Sequence, residues 1–402
     1  MSNKNKKFSV RWIYMIIGVI AMLFAGVLYA WSILKSPLAL EFGWGTSELA
    51  LNFTLAMTFF CLGGFLGARL SGRFGHRFAI ITAGVLSAMG FILTALIISS
   101  SVKILYLTYG VLAGLGIGIS YNVVIATVSS WFPDKKGLCS GCLMMGFGAS
   151  ALILGNAADA MFKTALGWRA TYIIIGVSLF VVLFFAALIL KKAEFAVTKK
   201  DNDDNIADDK NNFTSAMMIK TPVFWMIFIY ITFLAAVGSS VISFAKDLAL
   251  SVNATETLAV SLVGVLSICN GIGRISSGAI FDIIGCRRTM IVANITAIFA
   301  SAIILISIHT SSLALCVIGL CLAGMSYGSC ATLTAATTSF FFGMKYFSGN
   351  MALMTFNAMV ASFVATLSNK VLEVTGGYET TFIMLLALTF VSMILNLFIR
   401  KS

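Results

Sequence analysis

Charge is what this sequence has least of. Asp, Glu, Lys and Arg make up 10% of its 402 residues, against 59% hydrophobic ones. So little polar surface cannot close a water-soluble globule, and a soluble enzyme or soluble binding domain is excluded. Histidine is nearly missing: His76 and His309 sit far apart in the chain, and no nucleophile, base and carboxylate converge, so catalysis is not expected. The cysteines fall in or beside apolar runs and read as small packing residues. The single CxxC, Cys139 and Cys142, has no second pair and no neighbouring histidine, so neither a metal nor a cofactor is expected. No basic-aromatic motif points to nucleic acid, and the longest polar stretch is too short for a signalling domain.

What the sequence does have is long apolar runs of about 20 to 30 residues, enough to cross a hydrocarbon core of roughly 30 Å at 1.5 Å per residue. They predict an all-α polytopic membrane protein with twelve transmembrane helices. The expected spans are 11–34, 47–70, 79–98, 102–130, 138–160, 170–190, 221–245, 256–281, 289–308, 311–340, 346–372 and 379–399. The basic N-terminus followed by an apolar run is longer than a signal peptide core, so it is read as a first helix that stays.

Lys35, Lys103, Lys163, Arg169, Lys246 and Lys370 lie in loops on one side, Arg274 lies inside a span, and every other basic residue falls on the opposite side. The positive-inside rule then expects both termini in the cytoplasm of a multi-pass protein of the cell (inner) membrane. The net charge of +12 is read as a basic face toward anionic headgroups of the lipid bilayer.

The polar segment 191–220 separates a six-helix half, 1–190, from a second one, 221–402, and reads as a cytoplasmic linker. One fixed offset brings Gly63 onto Gly273, Gly75 onto Gly285, Arg77 onto Arg287, Gly114 onto Gly324, Gly118 onto Gly328 and Trp131-Phe132 onto Phe341-Phe342. A shared register of this kind predicts two pseudo-symmetric six-helix bundles with a substrate site between them near the midplane.

None of the acidic residues falls near the centre of a span; Asp159 comes nearest, at the end of the fifth. Arg274 is therefore an intramembrane charge with no carboxylate to pair with, about eight residues from its span's end, or roughly 12 Å deep. A planar guanidinium donates two parallel hydrogen bonds to a carboxylate and stays charged when desolvated, which points to an anionic cargo. The alternative is a structural arginine bonded to helix carbonyls. Asn270, one turn earlier, shares its face. Tyr121 and Asn122 follow the glycines of the fourth span, and Tyr327 lies near the corresponding place in the tenth; with Tyr29 and Asn357 they complete the candidate substrate-binding residues. The run Gly146-Phe147-Gly148-Ala149-Ser150 reads as a close-packing surface able to line the path.

The turn Gly278-x-x-x-Asp282-x-x-Gly285-x-Arg287-Arg288 resembles the cytoplasmic loop signature of the major facilitator superfamily. Its first-half copy keeps Arg73, Gly75 and Arg77 but has Gly72 where the family usually has aspartate. The motifs Tyr29-Ala30-Trp31-Ser32, Trp131-Phe132-Pro133-Asp134-Lys135-Lys136-Gly137 and Asn270-Gly271-x-x-Arg274 further resemble the oxalate/formate antiporter family and related monocarboxylate transporters. That resemblance implies the major facilitator fold, alternating access, and a substrate carboxylate meeting Arg274. It also implies a lysine in the eleventh span of oxalate exchangers, where this chain has Ala358, and an aspartate in animal-type monocarboxylate carriers, where it has Asn270. The expected function is therefore a monomeric secondary carrier of small monocarboxylates of the lactate, pyruvate or formate type, coupled to protons or exchanging. An oxalate or dicarboxylate exchanger, or an exporter of apolar compounds with Arg274 structural, are the alternatives.

Overall fold

The bilayer core offers no water to bond a peptide group, so each apolar run satisfies its backbone internally as a helix. A computed structural model describes residues 3–97, 101–193 and 212–399. Twelve of its helices are long and apolar enough to cross a membrane: α1 (Val10–Ala30), α2 (Leu51–Phe74), α3 (His76–Ala95), α4 (Val102–Ser129), α5 (Lys136–Phe162), α6 (Gly167–Ile189), α7 (Pro222–Ala245), α8 (Ser261–Ile284), α9 (Cys286–Thr310), α10 (Leu313–Phe342), α11 (Phe347–Leu372) and α12 (Tyr378–Phe398). Most of the linker 191–220 and the last basic residues, Arg400 and Lys401, lie outside the described residues.

The second and eighth helices run three to four residues further than the apolar pattern alone predicts, reaching Phe74 and Ile284. They continue through a polar last turn until Gly75 and Gly285 adopt φ of 86° and 83°, a conformation that a side chain disfavours. Both helices end at the same register of the repeat, on the same residue type.

The chain divides into two compact units. The first comprises Met1–Pro133, Gly146–Ile206 and Phe347–Leu353, and the second Asp134–Met145, Ala207–Tyr346 and Met354–Ser402. Each is therefore mainly one half of the chain plus a short piece of helix from the other.

In the first unit α2 and α4 approach closely: a Cβ at Gly63 would strike the carbonyl of Leu115, one at Gly114 that of Ala56, and one at Gly118 that of Phe60. In the second unit α8 and α10 do the same through Gly273 on Met325, Gly324 on Leu266, and Gly328 on Asn270. Each contact maps onto its counterpart at the offset found in the sequence, so the repeat is one of packing as well as of residues. Small residues suit this role because lipid tails are as apolar as leucine, and close backbone contact is left as the main attraction between helices. Beyond this seam the second unit is filled by Val237, Val241, Phe244, Leu262, Leu266, Ile304, Leu320 and Phe382.

Regular helix geometry breaks at several places, two of them at or beside candidate residues. Gly26–Ala30, which holds Tyr29, is a 3-10 helix, and Tyr106–Ala113 at the start of α4 is a π-helix. The eleventh span is interrupted at Thr355, between Phe347–Met354 and Phe356–Thr375, just before Asn357.

Candidate functional site

Arg274 is the one charged side chain among the buried described residues, at 3% exposure. The backbone of Arg274 sits about ten residues before the end of α8 at Ile284, roughly 15 Å along the helix axis. Its Nε donates to Oδ1 of Asn270 at 3.1 Å, and its Nη1 donates to the carbonyl of Met144 at 2.5 Å. Both acceptors are neutral. Among the described residues no carboxylate pairs with it, so hydrogen bonds hold the fork while the charge is uncompensated. A lone charge in such a medium is expensive, which makes the site receptive to an anion.

The local backbone around Arg274 is set by its neighbours. Its own carbonyl accepts from Thr332 Oγ1 at 2.9 Å, and Gly328 lets α10 lie against the turn from Asn270 to Arg274. From the other side comes the first stretch of α5. A Cβ at Gly141 would meet the Arg274 carbonyl, and Gly137 and Gly278 face each other backbone to backbone. This seam brings Met144 within reach of the guanidinium. The sequence reading missed Met144; the signal available was the Gly137/Gly141 spacing, a small-xxx-small pattern that marks a close helix contact.

The other second-unit candidates are divided. Tyr327 is half-buried, its ring stacked beside Gly238 of α7, where a side chain would collide with it. Asn357 donates through Nδ2 to Thr334 Oγ1 at 3.1 Å and is thus tied to α10. In the first unit Tyr29 and Tyr121 converge on one ring, Phe147, with centroid separations of 5.1 and 5.0 Å, both edge-on. Phe60 packs against Tyr121 at 5.0 Å and completes an aromatic group. Its positions are fixed by Gly26, since a Cβ there would overlap the carbonyl of Phe147. Asn122 is fully buried and engaged at both ends of its amide: Nδ2 donates to the Ser348 carbonyl at 3.0 Å, and Oδ1 accepts from Ser348 Oγ at 2.5 Å.

The loop motif has one working acid. Asp282 takes the Gly137 N–H on Oδ1 at 2.9 Å and the Leu138 N–H on Oδ2 at 2.8 Å, so a carboxylate covers the free donors at the start of α5. At the related position Gly72 a Cβ would meet nothing within 4 Å. Arg73 and Arg77 are exposed, and Arg287 donates to the Leu397 carbonyl at 2.9 Å. Asp159, near the end of α5, is paired with Lys163 at 2.6 Å. Among the described residues no three His, Cys, Asp or Glu side chains gather as a metal site would require.

Twelve spans, a packing repeat and a buried charge with neutral partners define a multi-pass membrane transporter. The chain belongs to the Major Facilitator Superfamily, whose family model matches residues 14–366. It is 26% identical to the oxalate:formate antiporter of Oxalobacter formigenes, over 97% of this chain and 91% of that protein. It is 24% identical to monocarboxylate transporter 2 of Mus musculus, over 84% of this chain and 73% of that one. In fold it resembles the proton:xylose symporter XylE with a TM-score of 0.75 at 13% identity, covering 100% of this chain and 97% of that one. These proteins are transporters, not enzymes.

Proposed function

We propose that this transporter carries small monocarboxylate anions of the lactate, pyruvate or formate type by alternating access, with a proton or a second anion as the coupled species. The observation that carries the reading is Arg274, buried at 3% exposure with an amide and a backbone carbonyl as its hydrogen-bond acceptors. A bound carboxylate supplies the missing negative charge and accepts from two guanidinium donors, one of them given up by the Met144 carbonyl. Asn270 steadies the fork, and Tyr121 and Tyr327 orient the cargo, with Tyr29, Asn122 and Asn357 shaping its surroundings. Asp282, with Gly278, Gly285, Arg287, Arg73, Gly75 and Arg77, forms the loop motif that holds helix ends during the conformational cycle.

One carboxylate per cycle follows from charge: with a single buried cation, a dianion leaves one charge unneutralised in a low-dielectric site. Ala358 adds no second cation. The protein acts as a monomer in the cell membrane, with both termini on the cytoplasmic side, an orientation that the distribution of Lys and Arg supports.

Two other readings have support of their own. An oxalate or dicarboxylate exchanger is favoured by the likeness to the oxalate:formate antiporter. An exporter of apolar compounds, with Arg274 structural, is favoured by the bond from Nη1 to the Met144 carbonyl. Competition of labelled lactate by pyruvate, formate, oxalate and a lipophilic cation in proteoliposomes separates the three. The decisive variant is Arg274→Ala: uptake falls at least about 100-fold, equivalent to about 2.7 kcal/mol, while the melting transition in detergent stays cooperative. Normal lactate uptake by a folded Arg274→Ala protein would falsify the anion site.

A further inference from the structure

Two helices change company along their length. The first stretch of α5, up to Met145, belongs to the second unit and the rest to the first; Phe347–Leu353, at the start of α11, belongs to the first unit and the rest to the second. The repeat offset pairs these stretches, Gly137 with Phe347 and Leu138 with Ser348. Each is a helix start, where backbone N–H groups lack intrahelical acceptors and another group has to hold the end.

At α5 the holder is Asp282, which takes the N–H groups of Gly137 and Leu138. Its counterpart in the first unit is Gly72, which has no side chain to offer α11. The start of α11 is held all the same. Asn122 of α4 donates through Nδ2 to the Ser348 carbonyl at 3.0 Å and accepts from Ser348 Oγ at 2.5 Å. The residue gripped, Ser348, is the repeat partner of Leu138; the holder has changed from a loop carboxylate to an amide inside a span.

The surroundings agree with that role. Asn122 is 1% exposed, so its amide is costly there unless both ends are bonded, and α11 supplies both bonds. Its counterpart in the second unit is Thr332, which donates to the Arg274 carbonyl at 2.9 Å and so holds a neighbouring span instead of a helix start. Gly64 stands where the second unit has Arg274. A Cβ on Gly64 would meet those of Asn122 at 3.8 Å and Ala352 at 4.0 Å, so the small residue lets the start of α11 lie against α2 and α4.

We propose that Asn122 is the latch of α11: it holds the start of that helix to the first unit and lets it go in the transport cycle, in place of the aspartate that Gly72 lacks. Asn122 is thus a positioning residue. The two copies use the same point of attachment and different chemistry, a carboxylate on N–H groups for α5 and a neutral amide on Ser348 for α11.

Hydrogen exchange of the full chain in detergent, read by mass spectrometry, tests this with no cargo present, so its outcome is separate from that of the carboxylate reading. Asn122→Ala is expected to speed exchange in residues 347–353 about tenfold, as two neutral hydrogen bonds are lost, and to leave residues 136–142 unchanged. Asp282→Ala does the reverse. Gly72→Asp, added to Asn122→Ala, restores most of the protection, because Gly72 faces open space and an aspartate there stands to Phe347 and Ser348 as Asp282 stands to Gly137 and Leu138. In proteoliposomes with labelled lactate, Asn122→Ala lowers kcat about threefold or more, since the step that closes this end loses the bonds that favour it, and Gly72→Asp returns it. The proposal is overturned if Asn122→Ala leaves exchange in 347–353 unchanged, if it speeds both stretches equally, or if Gly72→Asp brings no recovery. A rise in KM alone that Gly72→Asp does not repair marks a cargo ligand and overturns it too. Should Asn122→Ala not fold, Ser348→Ala, which removes the Oγ bond and keeps the carbonyl one, takes its place, with about threefold faster exchange expected and the same overturning outcomes.

Discussion

The seam of α2 with α4 and the seam of α8 with α10 are built alike and furnished differently. Gly118 faces the carbonyl of Phe60, and Gly328 that of Asn270; Gly63 faces Leu115, and Gly273 faces Met325. On that common frame the first unit has Phe60 and Gly64 where the second has Asn270 and Arg274. One copy thus offers an aromatic surface made of Tyr29, Phe60, Tyr121 and Phe147, and the other a single cation. Glycine-to-carbonyl contacts leave the opposite faces of the helices free to differ, so a duplicated scaffold can keep its packing while its chemistry becomes asymmetric.

The comparison can be broken most directly at the frame. Gly118→Leu and Gly328→Leu should each destabilise the protein by about 3 kcal/mol or more, because the side chain has a backbone oxygen in its place and neither helix can yield cheaply. Thermal or denaturant melts of both variants check this, and a large loss in one with none in the other contradicts equivalent seams. Next comes the chemistry on the frame. Asn270→Asp puts a carboxylate beside Arg274 and competes with the cargo, so uptake at neutral pH should drop about tenfold, or about 1.4 kcal/mol. The acid neutralises when protonated, so uptake should recover as the pH falls; a flat pH profile argues against an anion site at Arg274.

Smaller effects are expected where the loop motif differs. Asp282→Ala removes two charge-assisted bonds to N–H groups at a partly exposed helix start, and about 1 to 2 kcal/mol of stability should go with them. Gly72→Ala, facing open space, should change stability by no more than about 0.5 kcal/mol. A small effect that depends on pH belongs to Glu41, which accepts from Trp168 Nε1 at 2.5 Å and from Arg169 Nη2 at 2.6 Å. The Trp168 hydrogen bond is the main cause that holds its carboxyl below the ordinary value of 4.5; burial opposes it, and the hydrogen bond and charge of Arg169 add to the lowering. A depressed carboxyl pKa contributes stability that is present above the unfolded value and lost as the pH falls through the folded one. Glu41→Gln should thus lower stability at pH 7 by less than about 1 kcal/mol, as befits an exposed pair, and by nothing measurable well below pH 4.

Much of the architecture was legible because a bilayer permits few solutions: an apolar run of span length becomes a helix, and a fixed offset between glycines becomes a repeated seam. Arg274 was legible for a related reason, as a charge in a place where charge is costly. Its partner was harder to read. Met144 acts through its backbone carbonyl, an acceptor that every residue possesses, and residue type could not single it out; the Gly137/Gly141 spacing was the available trace. Asn122 and Ser348 illustrate a further limit. An intramembrane amide invites a reading as a ligand group, yet both its ends are taken by a residue far along the chain. The π-helix at Tyr106–Ala113 left no trace in hydropathy, because a change of winding does not alter which residues are apolar.

The bond from Arg274 to the Met144 carbonyl has a bearing on turnover. In the proposed cycle an arriving carboxylate takes a donor that is already engaged, and the displaced carbonyl must be left or rehydrated, at a net loss of about 0.5 to 1.5 kcal/mol. On release the carbonyl closes on the guanidinium again and compensates part of the lost attraction. A built-in competitor of this kind sets a ceiling on affinity and speeds departure. A protein that must discharge its cargo on every cycle gains more from fast release than from tight capture.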